Sequence, residues 1–295
     1  MRSFTAVVNP AAGGDAAARL IPLARLLREA GAEMTVEYSR SLEHAAELAR
    51  TAADKGHTVV AAGGDGMVGG LAGALAGTDG VLGILPAGRG NDFARQLGLP
   101  EEPDRLAALL LEAEPRRIDA IEVTTPDGGS RVVAGSVYAG VDSVANVHIN
   151  RLTRLPGSLA YYLGPLRAIA TWRPVSYRVT VDGELHEERG YTVVVANSGF
   201  YGYGLHIAPD AAVDDGLLDV VIIRHAPKRL FFAVMRELPK GTHVHRPVVE
   251  VLRGREVRVE ADRDIPYGAD GELLGDLPAT ARVLPGALNV IADPA

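Results

Sequence analysis

Thr58-Val59-Val60-Ala61-Ala62-Gly63-Gly64-Asp65-Gly66 passes within nine residues from a β-rich run into a glycine loop, and small helix-compatible residues follow to about Ala76. A short apolar strand, a tight loop and a helix are the repeating unit of a parallel sheet. The same order recurs on both sides. Upstream, Thr5 to Val8 leads into Asn9-Pro10-Ala11-Ala12-Gly13-Gly14, where Asp15 can cap a helix with Leu20, Leu23, Leu26 and Leu27 on its apolar positions, closing at Gly31. Glu33 to Tyr38 and a helical stretch from Leu42 to Ala53 form a second unit. Downstream, Val81 to Leu85 runs into Pro86-Ala87-Gly88-Arg89-Gly90, and Asn91 can cap a short helix stopped by Gly98 and Pro100. Residues 1–122 therefore read as a doubly wound α/β domain with its loops gathered at the carboxyl edge of the sheet, where ligands bind.

From about Ile121 strand-like runs dominate: Arg131 to Val137, Tyr177 to Val181, Tyr191 to Ala196, Leu218 to Ile223, Glu256 to Glu260 and Ala281 to Leu284. Asp182-Gly183 and Asp270-Gly271 mark turns between them. Helical interruptions fall around Leu159 to Trp172 and Arg229 to Leu238. Residues 123–295 are expected to form an all-β, sandwich-like second domain, with the last segment free to return to the first.

The chain has 295 residues, a length that favours two domains, and 30 basic against 37 acidic side chains give a net charge of -7. A nucleic-acid binder would carry a basic excess, so none is expected as a partner. There is no cysteine, which excludes disulfides, thiolate catalysis and cysteine-ligated zinc. The amino-terminal residues are too poor in apolar side chains for a secretory signal. No window approaches the roughly 18 apolar residues of a membrane span. The expected location is cytoplasmic, with any membrane work done from the inner surface.

Glycine-rich loops at one sheet edge let backbone N–H groups approach phosphate oxygens, helped by the helix N-termini that follow. Any one such loop also fits a tight turn without a ligand. Three that converge point to a nucleotide. Asp65 sharpens this, because a carboxylate inside a phosphate cradle repels phosphate unless a cation lies between them. Mg2+ commonly takes one or two carboxylates together with phosphate oxygens. Asp92 is a second carboxylate suited to the same ion. Neither the GxxxxGK[ST] loop nor the GxGxxG fingerprint is present.

Asn9-Pro10-Ala11-Ala12-Gly13, Gly63-Gly64-Asp65-Gly66 and Gly88-Arg89-Gly90-Asn91-Asp92-Phe93-Ala94-Arg95 resemble signature loops of the diacylglycerol kinase catalytic superfamily, which includes soluble bacterial lipid kinases and sphingosine kinases. Pro209 to Asp219, Asp270-Gly271-Glu272 and Leu284 to Leu288 resemble its later motifs, in the same order. The resemblance implies ATP in a cleft between an α/β and a β-rich domain, held by Asn9, Ser39, Gly64, Asp65 and Gly66, and Gly63, Gly88, Arg89 and Asn91 of the same loops are further candidates to hold it. It implies catalytic Mg2+ organised by Asp65 and Asp92, and a structural Mg2+ site using Asp215. Glu272 matches the general base of the bacterial enzymes, whereas sphingosine kinases give that role to the aspartate of the loop, here Asp65. Asp119 and Asp142 also match family positions. The reaction implied is phosphorylation of a membrane lipid hydroxyl, diacylglycerol foremost. A sphingoid-base kinase, an NAD kinase and an inactive regulator stay as alternatives.

The chain departs from that pattern at Met67, Gly69 and Gly70, where threonine, asparagine and glutamate are usual, and at Arg89. Arg89 is expected to contact ATP phosphate, or else to pair with a nearby carboxylate. Two basic and aromatic stretches suit peripheral membrane contact: Arg224 to Arg236, and Arg151 through Tyr161 and Tyr162 to Arg173. Either also reads as an amphipathic helix covering the core. An extended edge strand could support a homodimer.

Overall fold

The computed structural model describes residues 2–10, 16–125, 127–151 and 167–293, with the side chains of 149–151 left aside. Outside it lie Asp15, Ala11 to Gly14 of the first loop, and most of the stretch between Arg151 and Trp172, including Arg154, Tyr161 and Tyr162.

Four parallel strands build the first half: β1 (Ser3–Val8), β2 (Glu33–Tyr38), β3 (Thr58–Gly63) and β4 (Val81–Pro86), in the spatial order β2-β1-β3-β4. The intervening helices are α1 (Ala16–Glu29), α2 (Leu42–Asp54), α3 (Asp65–Leu75), α4 (Asp92–Gln96) and α5 (Pro103–Glu112). β1, β3 and β4 are largely apolar because both faces are covered, whereas the edge strand β2 leaves Glu33, Thr35 and Glu37 exposed. Leu23 and Leu27 of α1 pack with Leu106 and Leu110 of α5 on one face, and α2 and α3 pack on the other. The order of strands reverses direction between β1 and β3, so the loops after them flank the crevice of a doubly wound sheet.

The second half consists of β5 (Pro115–Thr124), β6 (Ser130–Val133), β7 (Ser136–Gly140), α6 (Val141–Arg151), α7 (167–171), β8 (Val175–Val181), β9 (Glu184–Ala196), β10 (Phe200–Tyr201), β11 (Leu205–His206) and β12 (Leu218–Arg224), then α8 (Lys228–Glu237), β13 (Val249–Gly254), β14 (Glu256–Ala261), β15 (Pro266–Ala269), β16 (Glu272–Asp276) and β17 (Ala279–Ile291). Its two layers enclose one apolar core drawn from β5, β7, β8, β9, β12, β14, β15 and β17. The layers share long strands. β9 pairs with β8, β7 and β12, while β17 pairs with β14 and β5 and then runs parallel to β4, Asn289 opposite Val81. One hydrogen-bonded network of 15 strands therefore joins both halves. Asp182-Gly183 and Asp270-Gly271 each hold two successive positive φ angles, the mirror-turn geometry that closes hairpins.

Two local expectations change. The run from Arg131 to Val137 is not one strand: the Asp270 carboxylate accepts the N–H groups of Ala134, Gly135 and Ser136 and splits it into β6 and β7. Asn91 precedes α4 but does not cap it. Its φ is 51°, and its side chain accepts from Gly88 N and donates to Gly88 O, which leaves nothing for the helix.

Candidate active site

The loops after β3 and β4 touch each other at their glycines. A Cβ on Gly64 would sit 3.1 Å from Gly88 Cα, and one on Gly88 would collide with Gly64 Cα. A Cβ on Gly63 would be 2.9 Å from the Met67 side chain. These glycines are required by the protein itself. Gly66 is different: a Cβ there meets nothing within 4 Å. An open face at a helix N-terminus, beside backbone N–H groups, fits an approaching phosphate.

Two carboxylates converge on this edge. A Cβ on Gly90 would meet Asp65 Oδ2 at 2.8 Å and Asp92 Oδ2 at 3.2 Å, so both oxygens face one spot. Asp65 also accepts from Phe93 N at 3.2 Å. Burial, and then the Asp65 charge, push the Asp92 carboxyl above its ordinary value. A carboxylate held this close to a second one is a fit for a divalent cation, which would relieve the repulsion. Asp92 also bonds across to the second half: it accepts from Tyr203 N at 3.0 Å and Gly204 N at 2.5 Å, on the hairpin of β10 and β11. Gln96, in the same helix, accepts from Gly199 N and donates to Ala211 O. α4 is thereby tied to that half.

Of the other nucleotide candidates, Asn9 follows β1 at the same edge, half-buried. Ser39 is buried and bonds through its N–H to Val8 O at 2.8 Å and its hydroxyl to the same oxygen at 3.3 Å, fastening β2 to β1. Arg89 stands exposed on the loop after β4, and Asn91 holds that loop closed.

The turn that leads into Glu272 meets α3 from the other half. Asp270, part-buried, is the link: beyond its three amide donors, its Oδ2 would lie 2.7 Å from a Cβ on Gly69, in the helix that begins at Asp65. That contact explains why position 69 carries no side chain. Burial pushes the Asp270 carboxyl up to about 6, against the opposing pull of those amides. Two residues on, Glu272 Oε2 accepts from Arg131 Nη2 at 2.6 Å. Asn146 of α6 donates to Gly271 O and to Tyr138 Oη, bracing the same turn.

The diacylglycerol kinase catalytic domain family matches residues 3–123, and the YegS C-terminal NAD kinase beta sandwich-like domain family matches residues 135–292. A diacylglycerol kinase of Mycobacterium tuberculosis is 32% identical over 292 residues, 97% of this chain and 94% of that protein. The chain belongs to the diacylglycerol kinase family. It is a lipid kinase. The Chromohalobacter salexigens protein named "Probable lipid kinase YegS-like" is 33% identical over 90% of this chain and 86% of its own length. A diacylglycerol kinase structure from Bacillus anthracis, 21% identical, superposes with a TM-score of 0.76 over 99% of this chain and 97% of the other, a likeness of fold.

The kinase carries its remaining acidic cluster away from the Asp65 loop. Asp119, buried at the domain junction, accepts from Gly216 N and Gly286 N, each at 2.7 Å. The turn at 214–216 carries its own counter-charges. Asp215 pairs with Arg253, which also reaches Asp219 at 3.3 Å, and Asp214 pairs with Arg116. With its carboxylate engaged by guanidinium and by Leu217 N, Asp215 does not fit a cation ligand here. Among the described residues no three metal-binding side chains cluster.

Arg131, Asn146 and Gln96 carry no sequence signal; their partners lie 141, 125 and 103 residues away. Asp270 had one, its place beside Glu272 in the Asp-Gly-Glu turn.

Proposed function

We propose that this kinase transfers the γ-phosphate of ATP to the free hydroxyl of diacylglycerol, giving phosphatidic acid. The observation that carries the reading is the docking of the Glu272 turn onto α3 through Asp270 and Gly69, which brings a candidate base to the helix that starts at Asp65. The choice of lipid rests on the Mycobacterium tuberculosis relative, whose likeness extends over both halves.

In this reading Glu272 accepts the proton of the lipid hydroxyl as its oxygen bonds to the γ-phosphorus; the bond from that phosphorus to the bridging oxygen breaks, and ADP leaves. A lipid hydroxyl is a poor nucleophile until its proton is taken, so removal of the base costs about 10²- to 10⁴-fold in rate. Arg131 orients the Glu272 carboxylate. Asp65 and Asp92 would hold Mg2+, whose charge offsets that of the phosphates. The open face at Gly66, with Gly63, Gly64 and Gly88 shaping the loops, would admit the phosphates. Asn9, Ser39, Arg89 and Asn91 frame that edge.

The test is transfer of labelled γ-phosphate to a lipid panel in detergent micelles, with the product identified by mass. Phosphatidic acid formed by wild type and lost in Asp65→Asn and Glu272→Gln is expected. A different phosphorylated lipid would replace diacylglycerol as substrate. Full activity in Glu272→Gln would remove the base from its role.

A further inference from the structure

We propose that the solvent face of α8 is the surface by which this kinase docks on an anionic lipid bilayer; the inference rests on the lipid-kinase reading and adds the membrane contact. Phe231 and Val234 point inward, Phe231 stacking on Tyr191 with ring centroids 4.1 Å apart. At 3.6 residues per turn, Lys228, Phe232, Arg236 and Arg229 then share an outward arc of about 100°. All four are exposed, and Phe232 is 47% exposed, one of few large apolar side chains left in solvent among the described residues. The arc is three cations around one aromatic ring.

Charge marks this face out. Arg224, Arg246 and Arg253, close by in the chain, are each engaged by carboxylates: Glu188 and Glu250, Glu237, and Asp215 with Asp219. Lys228, Arg229 and Arg236 form no ion pair among the described residues; Lys228 donates to Ala170 O, at the end of α7. Glu237, the acidic residue of the helix, is spent on Arg246. On a chain of net charge -7, this is a local positive surface whose cations make no direct ion pair among the described residues, with Glu237 the one carboxylate of the helix whose charge reaches Arg236. Basic side chains beside an exposed aromatic fit anionic headgroups, with the ring entering the interface.

Location agrees with this role. α6, α7 and α8 pack in one layer on the outer face of β7, β9 and β12. α6 is the helix whose Asn146 braces Gly271, next to Glu272. A bilayer held at α8 would therefore lie beside the element that supports the candidate base.

The experiment is sedimentation of the full chain with vesicles of phosphatidylcholine, with and without phosphatidylglycerol. It is paired with phosphorylation of a short-chain diacylglycerol dissolved as monomers. Wild type should bind the phosphatidylglycerol vesicles and release them as salt rises. Arg229→Gln/Arg236→Gln should weaken binding at least about tenfold, and Phe232→Ala several-fold, with activity on the monomeric lipid kept in both. Vesicle binding equal to wild type in both variants would overturn the proposal, as would a change of oligomeric state in place of a change in binding. Wild type inactive on every lipid, but bound to vesicles through α8, would count against the lipid-kinase reading and leave the docking surface standing.

Discussion

Gly66 and Gly69 lie within one turn of α3 and are glycine for opposite reasons. At Gly69 the space is taken by Asp270, whose Oδ2 would stand 2.7 Å from an added Cβ; at Gly66 nothing in the protein competes. Gly69→Ala should therefore destabilise by about 1–3 kcal/mol in urea unfolding, the usual cost of forcing atoms into a filled site. Gly66→Ala should leave stability unchanged or raise it by about 0.5–1 kcal/mol, since alanine suits a helix better. Its effect should fall instead on the KM for ATP, which rises if phosphate uses the open face. An unchanged KM would argue that the nucleotide does not come close to Gly66.

The turn between β15 and β16 and the start of α6 each hold a part-buried carboxyl. The single Thr192 hydroxyl hydrogen is shared between the two Asp142 oxygens, each 2.8 Å from the hydroxyl oxygen, and Ser143 N donates to Oδ1, yet burial outweighs these donors and raises the carboxyl to about 6. A carboxyl raised on folding binds its proton more tightly in the folded chain. Stability is then highest below its ordinary value near 3.8, falls as pH rises from about 4 to 6, and is level above that. Asp142→Asn should remove a share of this slope on the order of 2–3 kcal/mol, read from urea unfolding across that range. At the neighbouring element, Asp270→Ala leaves three N–H groups without their acceptor and frees the Glu272 turn. A fall in kcat larger than any rise in the KM for ATP is expected, because the turn carries the base and not the nucleotide edge.

Across the molecule, the two halves are joined by polar contacts as well as by the shared sheet. Asp119 fastens the 214–216 turn and the irregular part of β17, and Arg253 balances Asp215 and the buried Asp219. Burial pushes the Asp219 carboxyl up, and the Arg253 charge opposes that rise. Because a guanidinium already supplies the positive charge, the melting temperature of wild type should not change on adding a chelator. Arg253→Ala, which leaves Asp219 buried without its counter-charge, should cost about 1–3 kcal/mol, given that Arg253 is partly exposed. Its melting temperature should rise with added Mg2+. A wild-type melting temperature that drops in chelator would return a structural cation to this turn.

The strand–loop–helix units, the glycine loops and the two Asp-Gly hairpin turns were legible in the chain because periodicity, capping and turn chemistry act over a few residues. Asp65 could be named as a site residue on the same local grounds, from the glycine loop that holds it, whereas Glu272 was named only through the resemblance of its Asp-Gly-Glu turn to a family motif. That the turn before Glu272 meets α3 could not be read there. It depends on Asp270 reaching the amides of residues 134–136 and displacing any side chain from Gly69, contacts that join distant segments of the chain only once the sheet has closed. The same holds for Asn91 and Asp215. A capping residue became a loop clasp, and an acidic turn met Arg253, because the partner that satisfies a polar group is chosen by proximity in the folded state and not by spacing in the sequence.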